Sequence, residues 1–501
     1  MDVEENNDDA SEQGYDMHSD SPHPVNKTQI EIESTEIEDR DYVSLFEATK
    51  ELTIASITCA GGLLLRRTTE IFNYMVLGRL GDPNLVSGAG LGNSTINMTL
   101  IALGLGFTGA IETLASRAFG RKNNYLAGCY YTRAQVILTI ILIPICLLFW
   151  YLTPILIYLG QEVEVSKVAG RFVRAWIPGT FMFVQTEALR KFLVAQGQYS
   201  FMTKIQLVTA MLHPLWLYIN VYCFNLSIEG VAFSTVITHS LNFLIAYVWI
   251  TLDQSIVKEG CWHFVNKDSF IGYFEFLKFA IPSFLNLGLE VWSFQFIHFR
   301  AGFLGTTQLG ASVILMNLQT FLFMAPFGTS LVASSLIGNS LGASKPKTAN
   351  MYIKAIIATV TVITVTFTLC LMVFRHQIAA IFTTNEGIRQ EMVTGILVTS
   401  LITFPDGLHT ALFGIMKAMG YQHYGTPISF VCYWMFAVPI GYYLGTNSKY
   451  GLRGLWIGYP IGLTILCIIS LYLILRTNFK KLSQKVVEKL EVQKLNLEKP
   501  S

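Results

Sequence analysis

Twelve runs of mostly apolar residues, each close to the ~20 needed to cross a bilayer as a helix, follow one another along this chain. They fall near residues 52–77, 86–115, 131–159, 170–189, 201–224, 230–252, 275–301, 309–337, 351–373, 391–415, 427–445 and 453–476. With 52% hydrophobic and only 14% charged residues, a chain of 501 residues has too little polar surface to stay in water. The expected fold is therefore an all-α polytopic membrane protein, multi-pass in the lipid bilayer, with twelve transmembrane helices.

The segments between and beyond these runs divide the chain. Residues 1–45 carry a dense acidic run with Ser, Asn, His and Pro and little to bury, the composition of a disordered tail. No basic start followed by an apolar core opens the sequence, so a cleavable signal peptide is not expected. Helices in 46–252 and 271–476 flank a polar linker at 253–270, and 477–501 is a basic tail with Lys480, Lys481, Lys485 and Lys489, read as solvated rather than as an amphipathic surface helix. Lys and Arg in short loops mark the cytosolic side. Arg117, Arg121, Lys122, Arg190, Lys191, Lys345, Lys347 and the C-terminal lysines share one side, against Lys449 and Arg453 on the other. An even number of spans then puts both termini in the cytosol.

The second half repeats the first. Ala118-Phe119-Gly120 corresponds to Ser340-Leu341-Gly342, an offset of 222, and Ala195-Gln196-Gly197 to Ala418-Met419-Gly420, an offset of 223. Glu229-Gly230-Val231-Ala232 likewise matches Arg453-Gly454-Leu455-Trp456, an offset of 224. A near-constant offset over most of the chain means six spans duplicated in parallel, two bundles facing each other across an axis normal to the membrane, with a solute path between them.

Charged groups inside spans are costly, about 2.5–3.5 kcal/mol each, and so mark candidate sites. Glu290 lies halfway along its span, with Ser283, Asn286 and Ser293 at helical spacing on its face. Asp406 is the second acid, flanked by Thr399, Thr403, Thr410 and His409. Both belong to the second bundle, where two nearby acids cannot both ionise cheaply, a property suited to a proton carrier. Glu70 has Arg66 and Arg67 one turn away, and Asn73 follows one turn on. Glu112 is expected to fix the end of the helix bundle. Trp292, Phe294, Phe296, Tyr433, Trp434 and Phe436 supply aromatic faces for an organic cation or for packing. Gly104–Gly109 spells GxGxxG but lacks the preceding strand a dinucleotide site requires, and is read as a close helix approach. No Walker motif, CxxC pair or histidine cluster occurs, so no cofactor or metal is expected and transport would draw on an ion gradient.

The stretches GRLGDPNLVSGAGLGNS (78–94), AIETLASRAFGRKNNYLAG (110–128), LEVWSFQ (289–295), SSLIGNSLGASKPKTAN (334–350) and FPDGLHTALFGIMKAMGYQ (404–422) resemble the multidrug and toxic compound extrusion (MATE) family, its eukaryotic branch in particular. The resemblance runs from about residue 50 to 475 and implies a V of two six-helix bundles that exports organic compounds in exchange for protons or sodium. It implies proton coupling at Glu290 and Asp406, and places Glu112 in the family's span-two (D/E)-T-L motif. Three departures stand out: Gln295 where the span-seven motif has a second glutamate, Arg117 where glutamine is usual, and Asn317 where some animal members carry glutamate. Asn73 stands at about the place of a bacterial span-one aspartate. The resulting expectation is a monomeric proton-coupled antiporter, not an enzyme, in the plasma membrane or a vacuole-like compartment, with a small organic solute as partner and no nucleic acid. Sodium is the alternative coupling ion, and the rival functions are a lipid-linked head-group flippase and a transport-dead scaffold or sensor. The substrate-cleft candidates are Glu70, Asn73, Asn286, Trp292, Ser293, Gln295, Asn317, Thr403, Thr410 and Tyr433, with Glu112 and Arg117 as gating residues.

Overall fold

The computed structural model describes residues 43–383 and 386–498; the acidic stretch at the N-terminus lies outside them. Twelve helical segments occupy the twelve expected places. In the first bundle they are α1 (Leu45–Arg79), α2 (Asn84–Gly120), α3 (Asn124–Trp150), α4 (Val163–Ala195), α5 (201–223) and α6 (Ile228–Leu252). In the second they are α7 (Tyr273–Ala301), α8 (Thr306–Gly342), α9 (Pro346–Phe382), α10 (Glu386–Met419), α11 (Gln422–Thr446) and α12 (Gly451–Arg476). Eight are long and apolar enough to cross a membrane on length and composition alone. Of the other four, α1, α4 and α7 hold buried ionisable side chains, and α5 passes into a wide turn after 18 residues.

Local chemistry sets the ends. Ser44 caps α1 through a reciprocal box with Glu47, and Asp82 caps α2 through the Asn84 amide. Pro214 and Pro427 each precede a π-helical turn, Ile219–Cys223 and Val431–Ala437, because a proline removes one ladder donor and the wider turn re-pairs the freed carbonyls. The helices α1, α4, α8, α9 and α10 run to 33–37 residues, about 50 Å, well beyond a ~30 Å hydrocarbon core. The end where α1 begins and α2, α4, α8, α10 and α12 finish is the tail end of the molecule.

Two readings of the basic segments are corrected. Arg190 and Lys191 are not loop charges: α4 continues to Ala195, and both side chains are buried, as is Arg117. The exposed Arg121, Lys122, Lys345 and Lys347 still share the tail end. The C-terminal segment is not a solvated tail through its length. Phe479–Glu498 forms a helix, α13, whose buried Val486 and Leu490 join the first bundle's core while Phe479 and Leu482 pack against the second's. Ser483 Oγ donates to the Leu341 carbonyl at 2.8 Å, Arg121 pairs with Glu491 at 2.9 Å, and Gln493 bonds both Tyr130 and Glu275. This helix therefore straps the tail ends of both bundles together.

Candidate functional site

The bundles meet at the tail end through one set of contacts used twice. Thr113 and Arg117 of α2 donate to the Lys417 and Ala418 carbonyls at the end of α10, at 2.9 Å for the hydroxyl and 3.1 and 2.7 Å for the guanidinium. Ser335 and Asn339 of α8 donate to the Val194 and Ala195 carbonyls at the end of α4, at 2.7 and 2.9 Å. Each donor stands 222 positions from its counterpart and each acceptor 223, so the sequence repeat reappears as a pseudo-twofold axis. Glycine allows the approach. A Cβ at Gly120 would strike the Asn339 carbonyl, one at Gly342 the Arg117 carbonyl, and one at Gly338 the Ser116 hydroxyl.

Between these symmetric bonds lies a charged cluster with no symmetric copy. Glu112 of α2, 2% exposed, pairs with Lys191 of α4 and with Lys417 of α10 across the bundle interface. At the repeat-related positions stand Ser334, Gly414 and Val194, none of them charged. Lys191 also donates to the Leu105 carbonyl at 3.1 Å. In the first bundle Arg66 reaches Glu187 at 3.1 Å, Arg190 lies 3.4 Å from the same carboxylate, and Arg190 donates to Gln206 at 3.0 Å. Lys191, Lys417, Glu187 and Gln206 were not among the sequence candidates. Gln206 lies 16 positions from Arg190, Lys191 79 from Glu112, Glu187 121 from Arg66 and Lys417 305 from Glu112, and only the Glu187–Arg190 contact falls at helical spacing.

Above the cluster a cavity of about 30 Å³ opens between α2, α4, α7, α8 and α10. Its wall includes Lys191, Lys417, Glu290, Asn286, Ser283 and Thr410. One water needs about 10–15 Å³, so in this state the space admits a few waters or a proton path but no drug-sized solute. The Gly106 and Gly109 of the GxGxxG stretch lie against Phe284 and Ser283, making it a close approach of α2 to α7.

Glu290 is 8% exposed and Asp406 2%, and Asp406 stands one helical turn from His409 and Thr410, which share the cavity wall with Glu290. Gln319 of α8 donates to Asp406 Oδ2 at 2.9 Å, while Asp406 Oδ1, His409 Nδ1 and the Tyr433 hydroxyl are buried without a hydrogen-bond partner. Thr403 donates to the Thr399 carbonyl and Thr410 to that of Asp406, while Ser293 donates to the Glu290 carbonyl at 2.7 Å. Asn286 accepts from Ser429 at 2.6 Å and leaves its Nδ2 unpaired at the cavity wall. The result is a polar pocket inside the second bundle with spare donors and acceptors.

Other candidates sit elsewhere. Asn73 is bonded within the first bundle: its Nδ2 donates to Thr235 at 2.9 Å and its Oδ1 accepts from His213 Nε2 at 2.9 Å. Glu70 pairs with Arg67 at 2.6 Å. Asn317 is exposed and donates to the Val313 carbonyl of its own helix, and Gln295 is half-buried. Trp292 Nε1 donates to the Met98 carbonyl at 3.0 Å, a tie between α7 and α2. The aromatic residues mostly pack within the second bundle: Phe294 stacks on Tyr459 at 4.4 Å and Trp434 donates to the Leu289 carbonyl.

Comparison with known proteins matches this architecture. The MatE family model matches twice, at residues 60–219 and 282–443, starting points 222 apart. The Arabidopsis thaliana proteins DETOXIFICATION 16 and DETOXIFICATION 36 are similar, at 26% identity over 451 residues (89% of this chain, 91% of the relative) and 29% over 422 residues (83% and 82%). Among solved structures, the eukaryotic MATE transporter AtDTX14 superimposes with a TM-score of 0.84 at 25% identity, covering 89% of this chain and 99% of that one. The Vibrio cholerae MATE transporter VcmN in its bent form shares the fold, with a TM-score of 0.74 at 19% identity over 90% and 99%.

Proposed function

The chain belongs to the MatE family, whose members are multidrug and toxin efflux transporters, and from that premise we propose that it is a proton-coupled antiporter. It exports small organic compounds by alternating access, acts as a monomer, and holds both termini and α13 in the cytosol. Its compartment is the plasma membrane or a vacuole-like membrane.

The observation that carries this reading is the pair Glu290 and Asp406, buried together in the second bundle with Glu290 on the wall of a water-sized cavity at the bundle interface. A carboxyl so placed exchanges a proton with whichever side of the membrane the bundles expose. Deprotonated Glu290 favours bound solute, and protonation from the far side releases it. Only a difference in proton or solute affinity between the two states drives the cycle.

The test is efflux from proteoliposomes of purified protein, with a panel of organic cations and anions and an imposed pH or sodium gradient. Anions belong in the panel because Lys191 and Lys417 share the cavity wall with Glu290. Efflux driven by the pH gradient and indifferent to sodium is expected. Efflux that follows sodium alone overturns the proton assignment.

A further inference from the structure

The symmetric hydrogen bonds already join the bundles at the tail end, yet the sequence adds a charged cluster there that the repeat does not copy. Closure alone therefore does not explain Glu112, Lys191 and Lys417. Their distribution between the bundles does carry a consequence: Glu112 and Lys191 stand on α2 and α4 of the first bundle, and Lys417 stands alone on α10 of the second.

When the tail end opens, Glu112 and Lys191 travel together as a neutral pair, and Lys417 loses the Glu112 carboxylate. Its ammonium keeps its charge in the hydrated opening and is drawn to the nearest carboxyl on its own bundle, since an opposite charge within ~4–6 Å favours the ionised form of both. The carboxyl group that shares the cavity wall with Lys417 is Glu290. Asp406 is bound by Gln319 and is not on that wall. The ionisable groups around Glu290 are Asp406, His409 and Lys417 on α10, Tyr433 on α11, Tyr459 on α12, and Lys191 on α4. Of its two lysines, only Lys417 moves with Glu290's own bundle.

Resting on the reading of Glu290 as the proton carrier, we infer that Lys417 exchanges partners during the cycle, held by Glu112 while the tail end is closed and paired with Glu290 once it opens. In the opened state the Glu290 carboxylic acid gives its proton to cytosolic water and the resulting carboxylate pairs with the Lys417 ammonium. On closure Lys417 returns to Glu112, leaving Glu290 free to take a proton from the far side. The lysine thus ties proton release to the opening of one end, which an antiporter needs to avoid leaking protons.

The experiment follows the Glu290 carboxyl band by infrared spectroscopy, identified by its loss in Glu290→Gln, during pH titration of full-length protein in nanodiscs. The opened state is imposed by Gly342→Trp, which wedges a ring against the Arg117 carbonyl, and independently by the repeat-related Gly120→Trp. With Lys417 present, the deprotonation midpoint in the wedged protein falls by about 1–3 pH units relative to the unwedged protein, the usual effect of an opposite charge within ~4–6 Å. Lys417→Gln abolishes that difference and Lys417→Arg keeps it. Equal midpoints in the wedged and unwedged proteins, or a difference that survives Lys417→Gln, overturn the partner exchange. A Glu290 band that does not titrate in any of the proteins instead overturns the proton-carrier reading, so the two failures are distinguishable.

Discussion

Arg117 offers a direct probe of how firmly the tail end is held shut. Its guanidinium gives two hydrogen bonds to the Ala418 carbonyl, at 3.1 and 2.7 Å, and lies 6.0 Å from the Phe279 ring, all on the opposite bundle. Hydrogen bonds to a charged group contribute about 1.5–3 kcal/mol and a partly buried cation–π contact about 0.5–1 kcal/mol. When the bundles part, the side chain meets water and loses these partners, so Arg117→Ala removes stabilisation from the closed state alone. A loss of about 2–4 kcal/mol at ~1.4 kcal/mol per tenfold shifts the equilibrium toward opening by roughly 30- to 700-fold. The assay is maleimide labelling of Ser335→Cys in a cysteine-free background. That position is 1% exposed beneath α4 and becomes reachable only when the tail end parts. A labelling rate that rises less than threefold with Arg117→Ala would refute the latch. Asn339→Ala, its repeat-related counterpart with a neutral donor, is expected to give a smaller rise of about tenfold or less.

Two further outcomes separate structural from coupling residues. Asn73→Leu leaves the buried His213 Nε2 without its acceptor, at about 1–3 kcal/mol, while Thr235 still donates to the Val231 carbonyl, so thermal stability in detergent falls while transport per folded protein is unchanged. A loss of coupling without a loss of stability would return Asn73 to the transport path. Removing residues 477–501 deletes the α13 strap with its buried Val486 and Leu490. Burial of such side chains stabilises by about 1.5–3 kcal/mol each, so Ser335→Cys labelling is expected to rise about tenfold or more, with membrane insertion intact. Unchanged labelling would mean that α13 follows the bundles without holding them.

The spans were legible because hydrocarbon imposes a length and a composition that water-soluble helices need not meet. The duplication was legible because one offset recurs at three places, and the structure turns that offset into the pairing of Thr113 with Ser335 and of Arg117 with Asn339 across an axis. The acids Glu290 and Asp406 stood out as charges in apolar runs. Lys191 and Arg190 were misread for a related reason: they follow an apolar run, where basic residues ordinarily mark a loop, and only the continuation of α4 to Ala195 shows them buried. Lys417 sits 305 positions from Glu112, a pairing that periodicity along one helix cannot reveal. The docking of α13 was written faintly in Ser483, Val486 and Leu490 on one helical face amid lysines. Asn73 stood out by analogy of position, and the residues that bond it, His213 of α5 and Thr235 of α6, lie 140 and 162 positions away, out of reach of any local pattern.

Coupling in this transporter depends most on a proton held at Glu290. The most direct measurement is pH-gradient-driven efflux from proteoliposomes containing Glu290→Gln, normalised to inserted protein and compared with the unaltered chain. The variant is expected to insert but, carrying a permanent neutral mimic of the protonated acid, to hold solute weakly and show no efflux above that of empty vesicles. Undiminished pH-driven flux in Glu290→Gln would contradict it.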